Sequence, residues 1–332
     1  MIQLNQQYNK EVELMISSLN NQTAVGVNDQ AQLKELCTAL TKTPHLSKIQ
    51  IYFAEKIIDD QGISDLSIAL SSLPNVSYLL LELFNNNIGK LGAQRLADYL
   101  KNQKQLEILQ LNLSAINHQE AYELGSVLAQ LKNLESLNLN LKDNLIEAQG
   151  AQSLFSELQA CQNIQNLTLQ LQGTQIGIEG LQSLFNFISK CNLLSKLDLN
   201  VCHQIKDECA SALGITLEQC QNLSKIILNL DYCQISDEGI KSISQSLLRC
   251  PQLSELSLSI IENIFGIEGA RQLYTNLALC DKLSILNLNL GRNYPSQGDL
   301  DGEIVEFDCL TEIIANAKQI VQFNIQANQY FY

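Results

Sequence analysis

Residues 223–252 read LSKIILNLDYCQISDEGIKSISQSLLRCPQ, and this stretch decides the fold. Apolar residues alternate near its start, at Ile226, Leu228 and Leu230, which predicts a short strand that buries one face. After a turn, leucine and isoleucine recur at helical spacing and predict a helix from about Glu238 to Leu248. The stretch therefore predicts one strand–turn–helix unit.

The same unit recurs along most of the chain. The first apolar residues of the predicted strands are Leu46, Val76, Leu106, Leu134, Ile164, Leu194, Leu223, Leu253, Leu283 and Ile320. Subtracting each number from the next gives intervals of 30, 30, 28, 30, 30, 29, 30, 30 and 37 residues. A period this regular is typical of a solenoid, in which each repeat packs on its neighbours around one continuous core.

The pattern within each repeat resembles that of a known family. It runs L-x-x-L-x-L, an isoleucine turn, E-G-A, and then L-x-x-x-L-x-x-C-x-N-L. Over about residues 46–328 it is similar to leucine-rich repeats of the ribonuclease-inhibitor type, and its Asn- and Gln-rich style is similar to that of ciliate leucine-rich-repeat proteins. The resemblance implies an α/β solenoid of about ten repeats of about 30 residues. Because packed helices need more space than paired strands, we expect a curved array with a parallel concave sheet and helices on the convex side.

The two ends of the array are predicted to differ from its middle. Residues 1–45 predict an N-terminal helical cap, with helices at 11–19 and 31–40 and no clear strand. Such a cap would cover core residues that the first repeat otherwise exposes. Residues 46–332 then form the solenoid, so that cap and repeats make one continuous domain.

An insertion at residues 291–308 accounts for the single long interval. Proline and several glycines there predict a surface loop. Its acidic side chains are Asp299, Asp301, Glu303, Glu306 and Asp308. A solvated loop is the simplest interpretation, a contact for a basic partner is a second, and a cation site is a third that lacks the spacing of an EF-hand.

A short aromatic tail follows the last predicted strand. It consists of Tyr330, Phe331 and Tyr332. An uncovered edge strand is prone to pair with another chain. The tail is therefore predicted either to fold back over the last repeat or to dock onto a partner.

The composition narrows the class of partner and the location. The chain carries 21 Lys and Arg against 35 Asp and Glu, a net charge of −14. This balance repels nucleic acid and favours a neutral or basic protein partner. The sequence lacks an apolar run of roughly 18 residues and a secretory signal. We therefore expect a cytoplasmic protein without membrane insertion.

The sequence also predicts that the protein is not an enzyme. Its histidines, His45, His118 and His203, fall in three different repeats at different positions, so no catalytic set can be argued from them. Neither G-x-x-x-x-G-K-[ST] nor G-x-G-x-x-G occurs, which argues against a phosphate-binding loop. We expect no cofactor, no metal and no small-molecule substrate.

Five cysteines recur at one position, three residues before a strand's first apolar residue. They are Cys161, Cys191, Cys220, Cys250 and Cys280. Free cysteine is a small side chain that buries well, so these residues are predicted to be packed thiols at the ends of helices. Redox and metal roles are the alternative, although the close spacing typical of zinc ligands is missing.

Alternate strand positions predict which side chains face solvent on the sheet. The residues at the sixth position after each repeat's first apolar residue form a ladder of mostly uncharged amide side chains, which we interpret as structural. Glu82 is the only acid in this ladder. The first three repeats place apolar side chains at outward positions instead. They are Tyr52, Tyr78, Leu80, Phe84 and Ile108. Apolar side chains exposed together predict an interaction surface, unless the N-terminal cap covers them.

These features lead to one functional hypothesis and two competitors. The hypothesis is a non-catalytic protein-interaction or scaffold subunit of a larger multi-subunit assembly; the ciliate resemblance points to the cytoskeleton or the cilium as its place. One competitor is a regulator of a small GTPase, because a Ran-GTPase activator uses this repeat type. The other is an inhibitor that wraps around an enzyme, as the ribonuclease inhibitor does.

Overall fold

The computed structural model describes residues 22–203, 205–293, 317 and 319–326. The chain forms two compact units, Met1–Asn163 and Ile164–Tyr332. In both, strands alternate with helices along the chain.

In the first unit, five parallel strands pair with one another in chain order, from β1 to β5. Within this unit, consecutive helices pack against one another. The elements are β1 (Gln22–Val27), α1 (Gln30–Thr41), β2 (Lys48–Phe53), α2 (Asp60–Leu70), β3 (Tyr78–Glu82), α3 (Lys90–Leu100), β4 (Ile108–Asn112), α4 (His118–Leu128), β5 (Ser136–Asn140) and α5 (Glu147–Leu158).

The second unit repeats this arrangement. Its strands are again parallel and pair in chain order, from β6 to β11. The elements are β6 (Asn166–Gln170), α6 (Gly177–Lys190), β7 (Lys196–Asn200), α7 (Asp207–Gln219), β8 (Lys225–Asn229), α8 (Asp237–Leu248), β9 (Glu255–Ser259), α9 (Ile267–Ala278), β10 (Ile285–Asn289) and β11 (Gln322–Gln326).

Burial along the strands follows the predicted alternation. In β8, Ile226 and Leu228 are buried, whereas Lys225, Ile227 and Asn229 are partly exposed. The buried side chains of the strands and those of the helices form the core, and the other face of the sheet is its outward face. The predicted α/β leucine-rich-repeat solenoid fold is thus confirmed.

The prediction that the N-terminal cap lacks a strand is wrong. Residues 22–27 form β1, which pairs in parallel with β2 along its whole length. Thr23, Val25 and Val27 point inward and are buried, so the alternation is present without the leucines that mark the other strands. The helix predicted at 31–40 is confirmed as α1. The helix predicted at 11–19 lies outside the described residues.

Only some of the residues concerned in the C-terminal predictions are described in the structure. The predicted last strand is confirmed as β11, with Phe323 in register with Leu286 of β10. Phe323 is 46% exposed although it occupies an inward position. The aromatic tail at 330–332 and residues 294–308 of the insertion lie outside the described residues.

Aspartates connect the helices of successive repeats. Asp237, in the first turn of α8, accepts hydrogen bonds through Oδ1 from the backbone N–H groups of Gly266 (2.7 Å) and Gly269 (3.0 Å) at the start of α9. A Cβ added at Gly269 would come within 2.5 Å of this oxygen, so the close approach requires glycine there. Asp60 binds the start of α3 in the same way, through Gly89 and Gly92. The carboxylates therefore satisfy N–H groups that the helix itself leaves unpaired.

We expect Asp237→Ala to lower the free energy of unfolding by about 1–2 kcal/mol, because two helix N-terminal N–H groups lose a charged acceptor. Urea titration followed by circular dichroism measures this loss. Glu238→Ala is the matched control, since the Glu238 side chain is 77% exposed and pairs only loosely with Lys241 at 3.5 Å. Equal losses in both variants would contradict the role given to Asp237.

Candidate protein-binding surface

The predicted outward apolar residues lie together on the outward face of the first unit. The aromatic patch consists of Tyr52 on β2, Tyr78 and Leu80 on β3, Phe84 in the turn that follows β3, and Ile108 on β4. The register aligns Tyr78 with Ile108 on the next strand. Tyr52 is 42% exposed, and the other four side chains are partly exposed. The structure therefore brings all five into one accessible region.

The described part of the N-terminal cap leaves this patch open. Helix α1 packs against α2 and against β1, on the face of the sheet that holds the core. Of the described cap elements β1 borders the patch, and its positions beside Gln50 and Tyr52 carry the small residues Ala24 and Gly26. Gly26 aligns with Tyr52, and no heavy atom of the described residues lies within 4 Å of the position that a Cβ would take there. One side of Tyr52 is thus accessible.

The two tyrosines of the patch lie near each other. The Tyr52 hydroxyl donates a hydrogen bond to Gln50 Oε1 at 2.9 Å, which tilts the ring along β2 toward Gln50. Partial burial raises the pKa of Tyr78, and the neighbouring Tyr52 raises it further. Both rings are therefore part of one partly desolvated surface.

A carboxylate lies among these side chains, and the sequence did not single it out as a site residue. Glu82 aligns with Tyr52 on one side and with Asn112 on the other. Desolvation raises the pKa of Glu82, while hydrogen bonds from the Asn112 amide and the Phe84 backbone N–H act in the opposite direction. Its place as the only acid in the amide ladder was a signal that could have found it.

We expect Glu82→Gln to increase the free energy of unfolding relative to the native chain at neutral pH. Because the pKa of Glu82 is raised in the folded state, protonation of Glu82 stabilises the fold. This stabilisation is present below the ordinary Glu pKa of about 4.3 and is lost as the pH rises. The gain from Glu82→Gln should therefore grow from pH 4 to pH 7.5 in urea titrations.

Glu268→Gln is a control of opposite sign for this experiment. Hydrogen bonds from Gln272 and Arg271 lower the pKa of Glu268, so the ionised Glu268 carboxylate stabilises the folded state at pH values above the ordinary Glu pKa. The Glu268→Gln variant should lose stability relative to the native chain as the pH rises. The same trend in both variants would contradict the assignment for Glu82.

The ladder amides bind mainly to their own strand ends. Asn140, Asn200 and Asn229 each accept, through Oδ1, a hydrogen bond from the backbone N–H two residues later in the chain. Bonds between strands at the ladder join Asn112 to Glu82 and Gln170 to Asp198, and these bonds pair an amide with a carboxylate. The ladder therefore fixes the turns that follow the strands.

The outward face of the second unit has a different character. Ile227 aligns with Ser257, whereas Ile285 aligns with Glu255, so these isoleucines are separated by polar side chains. Desolvation raises the pKa of Asp198, and the Gln170 hydrogen bond and the nearby Lys225 oppose this effect. Lys225 also pairs with Glu255 at 2.7 Å. Asp198 and Glu255 thus both lie near the cation of Lys225.

The column of cysteines is buried, as predicted. All five are at most 7% exposed, and no disulfide joins the described cysteines. Cys161 donates to the Leu128 carbonyl of the preceding repeat at 3.2 Å. Burial raises the pKa of Cys250 to about 12, which keeps that thiol protonated at neutral pH.

Other predicted site residues fall elsewhere. The acidic loop (Asp299, Asp301, Glu303, Glu306 and Asp308) and the tail residues Tyr330, Phe331 and Tyr332 lie outside the described residues. His203 stacks on Tyr232 with ring centroids 4.7 Å apart. Within the described ranges, His, Cys, Asp and Glu side chains nowhere gather in a group of three or more that would hold a metal ion. Every described helix is too short or too polar to cross a membrane.

Comparison with known proteins agrees with the fold. Residues 226–244, which include β8 and most of α8, match a family model described as "Leucine Rich repeat". This match covers one of the repeats. Two internalins of Listeria monocytogenes have similar solved structures. Internalin inlF is 16% identical, with a TM-score of 0.46 over 97% of this chain and 89% of its own. Internalin C2 is 16% identical, with a TM-score of 0.42 over 80% of this chain and 92% of its own. No curated protein matches the chain.

Proposed function

We propose that this leucine-rich-repeat chain is a non-catalytic protein-interaction subunit that binds a protein partner through the aromatic patch. The observation that carries the proposal is the exposure of Tyr52 beside four partly exposed apolar side chains on one sheet face. Aromatic and aliphatic side chains grouped in this way are typical of the centres of protein interfaces. The rigid parallel sheet below them would hold the five side chains in place with little loss of entropy on binding.

The proposal extends to a scaffold role in a larger assembly and to the ribonuclease-inhibitor type of repeat. A full helix in each described repeat from α1 to α9 supports the repeat type. The Asn- and Gln-rich style of the sequence supports a cytoskeletal or ciliary assembly. The acidic loop and the aromatic tail are additional contacts in this proposal, and their composition alone supports them.

Capture from the native source tests the proposal. A tagged full-length chain, expressed in its own cells, should copurify with a distinct protein and elute from a sizing column well above its 37.0 kDa mass. The Leu80→Ser variant should lose that protein, while Ile227→Ser, which occupies the same repeat position in the second unit, should retain it. A monomeric native chain without a copurifying protein would contradict the proposed function.

A further inference from the structure

The carboxylate of Glu82 lacks a cationic partner among the described residues. It lies between Tyr52 and Asn112 in the sheet register, with Leu80 and Phe84 on either side along the chain. Its hydrogen bonds come from uncharged groups, the Asn112 amide and the Phe84 N–H. None of the described lysines or arginines forms an ion pair with it.

Two strand carboxylates of the second unit differ from Glu82 in having a nearby cation. Asp198 occupies an outward position on β7 and is similarly desolvated, but Lys225 on the next strand lies close enough to lower its pKa. Glu255 on β9 pairs with the same lysine at 2.7 Å. The charges of Asp198 and Glu255 are therefore compensated by Lys225, whereas the charge of Glu82 has no such cation among the described residues.

Aromatic residues lie next to the uncompensated carboxylate, with Tyr52 opposite Glu82 in the sheet register and Phe84 two residues later in the chain. Tyr52 is the direct neighbour of Glu82 across the β2–β3 pair, and the open space above Gly26 leaves one side of Tyr52 accessible. Tyr78 is close enough to interact with Tyr52. Faces of tyrosine rings attract cations, and a nearby carboxylate adds charge-assisted hydrogen bonds. This combination of groups suits an ammonium or guanidinium group.

We propose that the protein segment bound by the aromatic patch places a lysine or arginine side chain against Glu82, among apolar side chains that contact Leu80, Phe84 and Ile108. This inference rests on the proposed function and specifies the chemistry of its partner. A wholly apolar segment would bury the charge of the Glu82 carboxylate without a cationic partner, which is unfavourable. An acidic segment would be repelled by the same carboxylate. A cationic segment is therefore the one that the patch accepts without penalty.

Two matched peptides test this inference on the full-length chain. The probes are acetyl-Leu-Phe-Arg-Phe-Leu-amide and the same peptide with citrulline, the neutral isostere of arginine. We expect the arginine peptide to bind about tenfold more tightly in isothermal titration calorimetry, because only it forms charge-assisted and cation–π contacts. In Glu82→Gln the ratio of the two affinities should fall to about one. In Asp198→Asn, the control on the second unit, it should stay near tenfold.

The outcomes separate the inference from the proposed function. Equal affinity of the two peptides for the native chain, or an unchanged ratio in Glu82→Gln, would overturn the inference. If Leu80→Ser still weakened both peptides in that case, the apolar docking surface would stand. Failure of both peptides to bind the native chain at about 1 mM would contradict the docking surface itself.

Discussion

Exchanging Leu80 and Phe84 together for serine is expected to weaken binding of the protein partner by about 100-fold or more. Each side chain is a partly buried apolar group near the centre of the aromatic patch. Truncation of such groups costs about 1.5–2 kcal/mol each when a partner fully desolvates them, and two such losses correspond to at least a hundredfold change in Kd. Surface plasmon resonance with the captured partner measures the change.

The second unit offers a matched control for this double exchange. Ile227 and Ile261 occupy the same two repeat positions as Leu80 and Phe84, and both are partly exposed. Their joint exchange for serine should leave the Kd within about threefold of the native value, an effect below 1 kcal/mol. Similar losses in both double variants would show that binding does not depend on the patch. Circular dichroism confirms that each variant keeps its fold.

Replacing Asn263 with alanine is expected to lower the free energy of unfolding by about 3 kcal/mol, because two buried backbone N–H groups lose their acceptor. The Asn263 side chain is 1% exposed. Its Oδ1 accepts from the N–H groups of Cys233 (3.1 Å) and Ile235 (2.9 Å) in the preceding repeat. Its Nδ2 donates to the carbonyls of Leu230 (2.9 Å) and Ile261 (3.2 Å). One side chain thus joins two successive turns.

Urea titration compares this variant with a second asparagine variant. Asn287→Ala removes an outward side chain that is only partly exposed and donates to Ser257 Oγ at 3.1 Å. We expect its loss to stay below about 1 kcal/mol, since water replaces the missing bond. A loss in Asn263→Ala as small as that in Asn287→Ala would contradict the role of the buried amide.

The repeat is the part of the fold that the sequence predicts best. The apolar spacing predicts the bounds of β8 and α8 to within a residue or two. The prediction is this close because one repeat period has to fit all ten copies of the pattern. Strand β1 was missed since Thr23, Val25 and Gly26 do not follow the leucine pattern. Its pairing with β2 comes from tertiary contact, which local propensity does not contain.

The candidate site was predictable in its apolar part only. The period of two places Tyr52, Leu80 and Ile108 on the outward face from sequence alone. The special character of Glu82 depends on its desolvation and on the absence of a nearby cation in the described residues, and both are properties of neighbouring strands. The role of Asn263 is also hard to predict from the sequence. Thr174 and Cys233 occupy the position of Asn263 in other repeats, so asparagine does not recur regularly there.

Crosslinking mass spectrometry on the assembly isolated from the native source tests the central claim most directly. Lys48 on β2 and Lys56 in the following turn are exposed and flank the aromatic patch. Lys101 at the C-cap of α3 and Lys241 on α8 are the internal controls. The account predicts that crosslinks to a foreign protein concentrate at Lys48 and Lys56. Crosslinks that arise only from Lys101, Lys241 and other helix-side lysines would contradict it.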